Sequence, residues 1–118
     1  MATNLYDHAY DLEKSLRESE EYMDLKNMYE AVENDATAKS MFDSFRQVQM
    51  QLQQKQMNGQ DIPEEEVQQA QLIANQVQQN EKVTKLMEAE QRMSMAIQEL
   101  NKIIMKPLDD LYGAVQGQ

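Results

Sequence analysis

The chain is poor in the residues that make disulfides, metal–thiolate sites and turns. It has no Cys, which excludes disulfides, zinc–thiolate and iron–sulfur ligation, and thiol catalysis. With only 3 Gly and 2 Pro among 118 residues it has few places to turn, which favours long helices. Trp is absent and aromatic residues make up 6%, which argues against a β-sandwich or barrel.

The sequence also lacks long hydrophobic runs. No stretch of about 18 consecutive apolar residues occurs, so no membrane-spanning helix is predicted. The first residues have neither a basic region nor an apolar segment, and they do not match the pattern of a signal peptide. We therefore expect a cytoplasmic protein without a membrane partner.

Acidic residues outnumber basic ones, and the net charge is -10 at pH 7. Residues 1–35 carry ten acids and three bases, whereas residues 81–106 carry four acids and five bases. Such an acidic chain repels nucleic-acid phosphates, so direct nucleic-acid binding is not expected. A solvated acidic surface is the preferred interpretation, but the contrast between the two regions also allows head-to-tail attraction between protomers.

Apolar residues recur at steps of three and four in five segments, a spacing that places them on one face of a helix. Asn4 or Thr3, Ser19 and Asp35 stand where N-caps are expected. In chain order the five stripes are Leu5, Ala9, Leu12 and Leu16; Tyr22, Leu25, Tyr29 and Val32; Ala38, Met41, Phe45, Val48 and Leu52; Val67, Ala70, Ala74 and Val77; and Leu86, Met93, Ile97, Leu100, Ile104, Leu108 and Leu111.

Three places should interrupt the helices. A turn is predicted from Asn58 to Pro63, because Gly59 can take the left-handed conformation that ends a helix and Pro63 suits the first position of the next. Asn80 can cap a fifth helix, although the chain could also bend slightly there, since no Gly or Pro marks the position. Pro107 lacks a backbone donor, so the last regular helix is expected to end or kink just before it.

These elements predict an all-α fold. The expected architecture is an elongated bundle of about four to five helices with short connections, in one domain over residues 1–118. Within it we expect an acidic helical hairpin at residues 1–35, a long hairpin at 36–79, a C-terminal helix at 80–112 and a frayed tail at 113–118.

Several apolar residues lie off their helix's stripe and form a candidate interaction surface. These residues are Met50, Met57, Met95, Ile103 and Met105. Crossing helices could bury both faces inside one chain, with flexible Met side chains filling gaps, or the surplus faces could bind another chain. A homodimer is favoured, because two-fold dimers are the commonest oligomers, and a different protein partner of unknown identity stays open.

Few residues point to catalysis. His8 is the only histidine and lies one turn from Asp11, a pair that could do acid–base work, but a solvated surface histidine is preferred. The acidic run at residues 64–66 suits a helix start better than a cation site, and Asp109 with Asp110 offers too few ligands for a divalent ion. We expect no catalytic, cofactor-binding or metal-binding residue. An enzyme that uses His8 and nearby acids is a remote alternative.

Two groups of motifs carry a family resemblance. The first is Ser19-Glu20-Glu21-Tyr22 and Glu33-Asn34-Asp35, followed by a helix with Met41, Phe42, Phe45 and Gln47. The second is LNKII at residues 100–104 and PLDDLYG at residues 107–113. Together they resemble the YlbF/YmcA-like family of small bacterial helical proteins, and its YheA branch in particular, over nearly the whole chain.

The resemblance implies an all-helical, dimeric, cytoplasmic bacterial protein. Members of the wider family are non-enzymatic regulators that assemble with partner proteins and influence competence, biofilm formation, sporulation and mRNA processing by ribonuclease Y. It therefore implies a homo-oligomeric interaction module or regulatory adaptor. The alternative is an adaptor in RNA turnover that acts through a ribonuclease partner. Some members bind iron–sulfur clusters through Cys, a property that cannot carry over to this chain.

Overall fold

The computed structural model describes residues 4–113, which fold as five α-helices without β-strands. The helices are α1 (Leu5–Arg17), α2 (Glu20–Glu33), α3 (Ala36–Met57), α4 (Glu64–Gln78) and α5 (Glu81–Tyr112). The predicted all-α class and the elongated bundle are thus confirmed. The division of the chain into two hairpins and a terminal helix stays a prediction, and residues 114–118 of the expected tail lie outside the described residues.

Side-chain caps begin four of the five helices. In each, a side-chain oxygen accepts a hydrogen bond from the backbone N–H three residues further on, which satisfies one of the free donors at the helix start. The caps are Asn4, Ser19, Asp35 and Asn80, with donor–acceptor distances of 3.3, 3.2, 3.0 and 3.0 Å. The last of these shows that the chain breaks between α4 and α5 without a Gly or Pro.

The predicted turn after α3 is present, with one difference in detail. Gly59 has a φ of +68°, and the N–H of Gln60 donates to the carbonyl of Lys55 at 2.9 Å, which closes the helix end. Pro63 was expected to be the first helical residue, but its ψ of 147° is extended and α4 begins at Glu64. Pro63 is thus the last residue before α4, and its extended backbone leads the chain into the helix.

Of the two effects expected at Pro107, an end or a kink, the end does not occur, because α5 continues to Tyr112. Pro107 cannot donate to the carbonyl of Ile103, which costs one helical hydrogen bond. Residues 101–108 are all exposed, so water can bond that carbonyl. Good helix formers on both sides, such as Lys106 and Leu108, carry the helix past the proline.

The core is small and lies where the end of α2, the start of α3, the end of α4 and the start of α5 meet. Phe42 lies in it although it was not on the predicted stripe, and Met28 packs against it in place of the predicted Tyr29, which is exposed. A stripe read from the sequence is uncertain by about one residue, or about 100° of helix rotation. The buried residues are Val32, Ala38, Phe42, Val77, Val83, Leu86 and Ala89.

The molecule is elongated, with extents of 58 × 37 × 19 Å and a radius of gyration of 18.9 Å. A compact chain of this length would have a radius of gyration of about 13 Å. The most extensive packing joins α2 to α5, followed by α3 to α4, whereas α1 approaches only α2 among the described helices. Two segments therefore extend away from the core: α1 and the C-terminal part of α5.

Candidate interaction surface

The first protruding segment, α1, is an amphipathic helix with no buried residue. Its cap and the 2.8 Å ion pair between Arg17 and Glu13 stabilise it locally. The predicted apolar line of Leu5, Ala9, Leu12 and Leu16, here named the α1 stripe, is present, but Leu5 is 70% exposed. Leu12 is 37% exposed and Leu16 is half-buried, so the N-terminal part of this stripe in particular is open to solvent.

The second protruding segment is the part of α5 beyond Leu100. Near its start α5 buries Val83, Leu86 and Ala89 in the core. At about 100° per residue, Ile104, Leu108 and Leu111 continue the line of Leu86, and these three residues are here named the α5 end stripe. All three are exposed, and Leu111 is exposed by 78%.

The lengths of the helices explain why this end is uncovered. α5 has 32 residues, or about 48 Å, while its main packing partner α2 has 14 residues, or about 21 Å. A helix of that length cannot cover the whole apolar line of α5. Because α1 turns away from α5, no other described helix covers the remainder.

The structure leaves all five residues of the predicted interaction surface exposed, from 42% for Met105 to 79% for Met57. Met50 and Met57 lie on α3, and the other three lie on α5. Within α5, Met95 lies opposite the apolar line, whereas Ile103 and Met105 flank the α5 end stripe on its two sides. The five do not form one continuous stripe, and their role in binding stays a prediction.

Sequence reasoning missed the α1 stripe and the α5 end stripe as exposed surfaces, because it assigned both to core-facing lines. Their 3.6-residue period is the same as that of a buried stripe. The signal that could have found them is length. A last helix that begins at the Asn80 cap and continues to Tyr112 is longer than any neighbour able to cover it.

The groups of side chains that the sequence offers as candidates for catalysis or metal binding lie far apart along the chain. His8 and Asp11 are exposed on α1, and Asp109 and Asp110 lie at the far end of α5. Within residues 4–113, no three side chains of the His, Asp or Glu type come close enough together to hold a metal ion. The acidic start of α4 has a structural contact, because Glu66 pairs with Lys55 of α3 and so ties the hairpin together.

Ion pairs fix the start of α5 on the core. The carboxylate of Asp35 caps α3 and lies 3.0 Å from the Lys82 ammonium of α5. The pKa of Asp35 is below its ordinary value, first because the N–H of Ala38 donates to the carboxylate and second because of Lys82. Arg46 of α3 pairs with Glu90 of α5. These contacts attach the N-terminal part of α5 to the core, and the rest of α5 projects beyond it.

An open cleft of about 460 Å³ lies between the start of α3 and the end of α4. Its walls bring Thr37, Ser40 and Ser44 close to the apolar Met41 and Ile73. The residues that line it include no acid, base or histidine, so its hydroxyls have no neighbouring group to activate them. The cleft can accept small polar groups but offers no arrangement for acid–base chemistry.

None of the helices in the described part of the chain combines the length and the apolarity needed to cross a bilayer.

Comparison with known proteins gives consistent matches over nearly the whole chain. A family model described as control of competence regulator ComK, YlbF/YmcA, matches residues 5–109. The UPF0342 protein YheA of Bacillus subtilis is 63% identical over 117 residues, which cover 99% of this chain and 100% of YheA. A protein of unknown function (DUF964) from Bacillus stearothermophilus superposes with a TM-score of 0.83 at 44% identity, over 93% of this chain and 96% of that one.

A more distant match concerns fold alone. RicA of Bacillus subtilis, solved in complex with RicF, superposes with a TM-score of 0.67 at 21% identity. The alignment covers 96% of this chain and 100% of that chain.

Proposed function

The chain belongs to the YlbF/YmcA family, and on that premise we propose that it is a non-enzymatic helical module that self-associates and binds another protein chain as a regulatory adaptor. The observation that supports this function is the exposure of the α1 stripe and the α5 end stripe, two apolar faces on regular helices. Exposed apolar faces on ordered helices are typical of sites that bind another protein chain.

The relatives support the proposal in a limited way. The UPF0342 and DUF964 relatives have no assigned activity. RicA crystallised with a protein partner, RicF, and it shares this fold. This example supports the idea that a protein with this fold can bind another protein. At 21% identity it does not identify a partner for this chain. The proposed location is the cytoplasm, as the family resemblance implies.

The test combines sizing of the pure protein with recovery of partners. Light scattering after gel filtration should give a mass above the 13.8 kDa of one protomer. A tagged copy, recovered from native cytoplasm after nuclease treatment at moderate salt, should bring down one protein in near-stoichiometric amount. If the recovered protein is a ribonuclease, the result would support the alternative of an adaptor in RNA turnover. A monomer that recovers no partner would overturn the proposal.

A further inference from the structure

We propose that the α1 stripe of one protomer packs on the α5 end stripe of a second copy, and that the exchange is reciprocal, forming a two-fold dimer. The inference rests on the proposed function and names the occupant of its two faces. A reciprocal exchange covers both faces on both chains with no third component.

The two stripes match in length and in spacing. α1 has 13 residues, or about 20 Å, and the 12 residues of α5 beyond Leu100 span about 18 Å. The α1 stripe and the α5 end stripe both advance by steps of four and three residues, so each presents a straight line of side chains along its helix. Two such lines pack as ridges against grooves along their full length.

The α5 end stripe also continues an interface that already exists. The line of α5 that begins with Leu86 packs against α2 until α2 ends, and Ile104 lies on the same line about five turns further on. A helix laid over the α5 end stripe would therefore extend a helix–helix contact already formed in the protomer. The apolar line of α5 would then be covered along its whole length, from Leu86 in the core to Leu111.

The geometry of the α1–α2 link favours a second copy over the chain's own α1. Only Glu18 and Ser19 separate the two helices. The Ser19 hydroxyl donates to the carbonyl of Leu16 at 2.6 Å, and the Ser19 N–H donates to the same carbonyl at 3.1 Å. These bonds, together with the Ser19 cap on α2, fix the direction in which α1 leaves, and that direction keeps it away from α5.

Charge gives a small preference between two symmetric arrangements. Residues 5–17 of α1 carry three acids and two bases, so packing α1 on the partner's α1 would bring together two helices with the same sign of net charge. Residues 101–112 of α5 carry two bases, Lys102 and Lys106, and two acids, Asp109 and Asp110, so packing α1 on the partner's α5 avoids that like-charge contact. Like charges oppose the first arrangement.

The apolar surface available is close to what a small dimer interface buries. Each face is about 20 Å long and about 10 Å wide, or roughly 200 Å² in projection. Reciprocal exchange covers four such faces, and the relief of the side chains adds to the projected area. The total approaches the lower end of the roughly 1,200–2,000 Å² that stable interfaces bury.

Engineered cysteines give a direct test, because the chain has no Cys of its own. Two full-length variants, Leu12→Cys and Leu108→Cys, are co-expressed with tags of different mass and treated with a short bismaleimide reagent. The reagent is used because a disulfide needs a narrow Cα–Cα separation and a specific geometry, whereas a bismaleimide joins any two thiols that face each other across the contact. The expected result is a product that joins the two variants, at least about tenfold above the control pair Leu72→Cys and Leu108→Cys. Leu72 is exposed on α4 and lies on neither stripe.

Each other outcome overturns the pairing in a recognisable way. A dimer without the cross-link means association through different faces, and the proposed function then stands. A monomer in which only a chain carrying both Leu12→Cys and Leu108→Cys cross-links, within that one chain, means that α1 folds back on its own α5. A monomer without cross-link or partner removes the proposed function as well.

A charge exchange tests direct contact between the same positions. Leu12→Glu and Leu108→Lys should each lower the dimer affinity at least about tenfold, while the far-UV spectrum of the protomer is unchanged because both side chains are exposed in it. Co-expression of the two variants should restore mixed dimers selectively. Loss of affinity without such rescue would contradict the pairing.

Discussion

Leu86 is fully buried at the start of α5, whereas Leu72 on α4 is 58% exposed, although both are leucines within helices. Leu86→Ala should lower the free energy of unfolding by about 2–5 kcal/mol, because it removes apolar contacts and leaves a cavity in a small core. Leu72→Ala is the matched control, and it should change that free energy by less than about 0.5 kcal/mol. Urea unfolding followed by circular dichroism measures both. An equal loss of unfolding free energy in the two variants would contradict the assignment of Leu86 to the core.

Asp35 should make stability depend on pH in a defined direction. Its folded-state pKa is lowered, so the ionised carboxylate stabilises the fold above the ordinary aspartate pKa of about 4. That contribution is lost as the pH falls through the lower folded-state pKa. Asp35→Asn keeps an N-cap but cannot ionise or attract Lys82. Its melting temperature should be lower than the wild-type value at pH 7, and the two should converge as the pH falls below the lowered folded-state pKa of Asp35.

The comparison of the two proteins isolates Asp35 from the other carboxylates, which titrate in both. Melting followed by circular dichroism at several pH values gives the difference directly. A difference that stays constant from pH 7 to pH 2 would mean that the Asp35 charge does not contribute, and that any loss comes from the altered cap alone.

At the scale of single helices, local chemistry accounts for most boundaries. Ser19, Asp35 and Asn80 begin helices where sequence reasoning allowed them, and Gly59 ends one, because caps and left-handed turns depend on residues within a few positions. The helix end that Pro107 was expected to cause is absent, because Pro107 acts against a helix by removing only one bond. A missing bond of this kind is tolerated where the carbonyl left free faces water.

Pro107→Ala should strengthen the end of α5 locally. The new N–H can donate to the carbonyl of Ile103, and the local gain is expected to be about 1–3 kcal/mol. Because this segment projects from the core, the effect should appear as slower amide exchange over residues 104–112, by roughly ten- to a hundredfold, more than as a change in global unfolding.

Lys106→Ala is the control for that experiment, since it changes the neighbouring side chain without adding a donor. Hydrogen exchange read by mass spectrometry or NMR compares the three proteins. Equal protection in the wild type and in Pro107→Ala would contradict the predicted local gain in helix stability.

At the scale of the whole molecule, the exposed apolar surface should govern association. Ile103 flanks the α5 end stripe and is exposed in the protomer, so Ile103→Glu should weaken self-association at least about tenfold without unfolding the chain. Leu72→Glu, the same kind of change away from both stripes, should leave the mass unaltered. Light scattering and thermal melting are measured together. An unchanged oligomer of unchanged stability would contradict the role assigned to Ile103.

The sequence by itself determined the all-α class, most helix boundaries and the turn from Asn58 to Pro63, because each of these follows from a few neighbouring residues. It left four or five helices open, and the structure decided for five through the break at Asn80. It also placed Met50, Met57, Met95, Ile103 and Met105 off the core stripes, and the structure leaves all five exposed. Only the tertiary structure decided which stripes are covered. The α1 stripe has the period of a buried face, but burial requires a second helix within reach. The short α1–α2 link and the length of α5 leave both protruding ends without one.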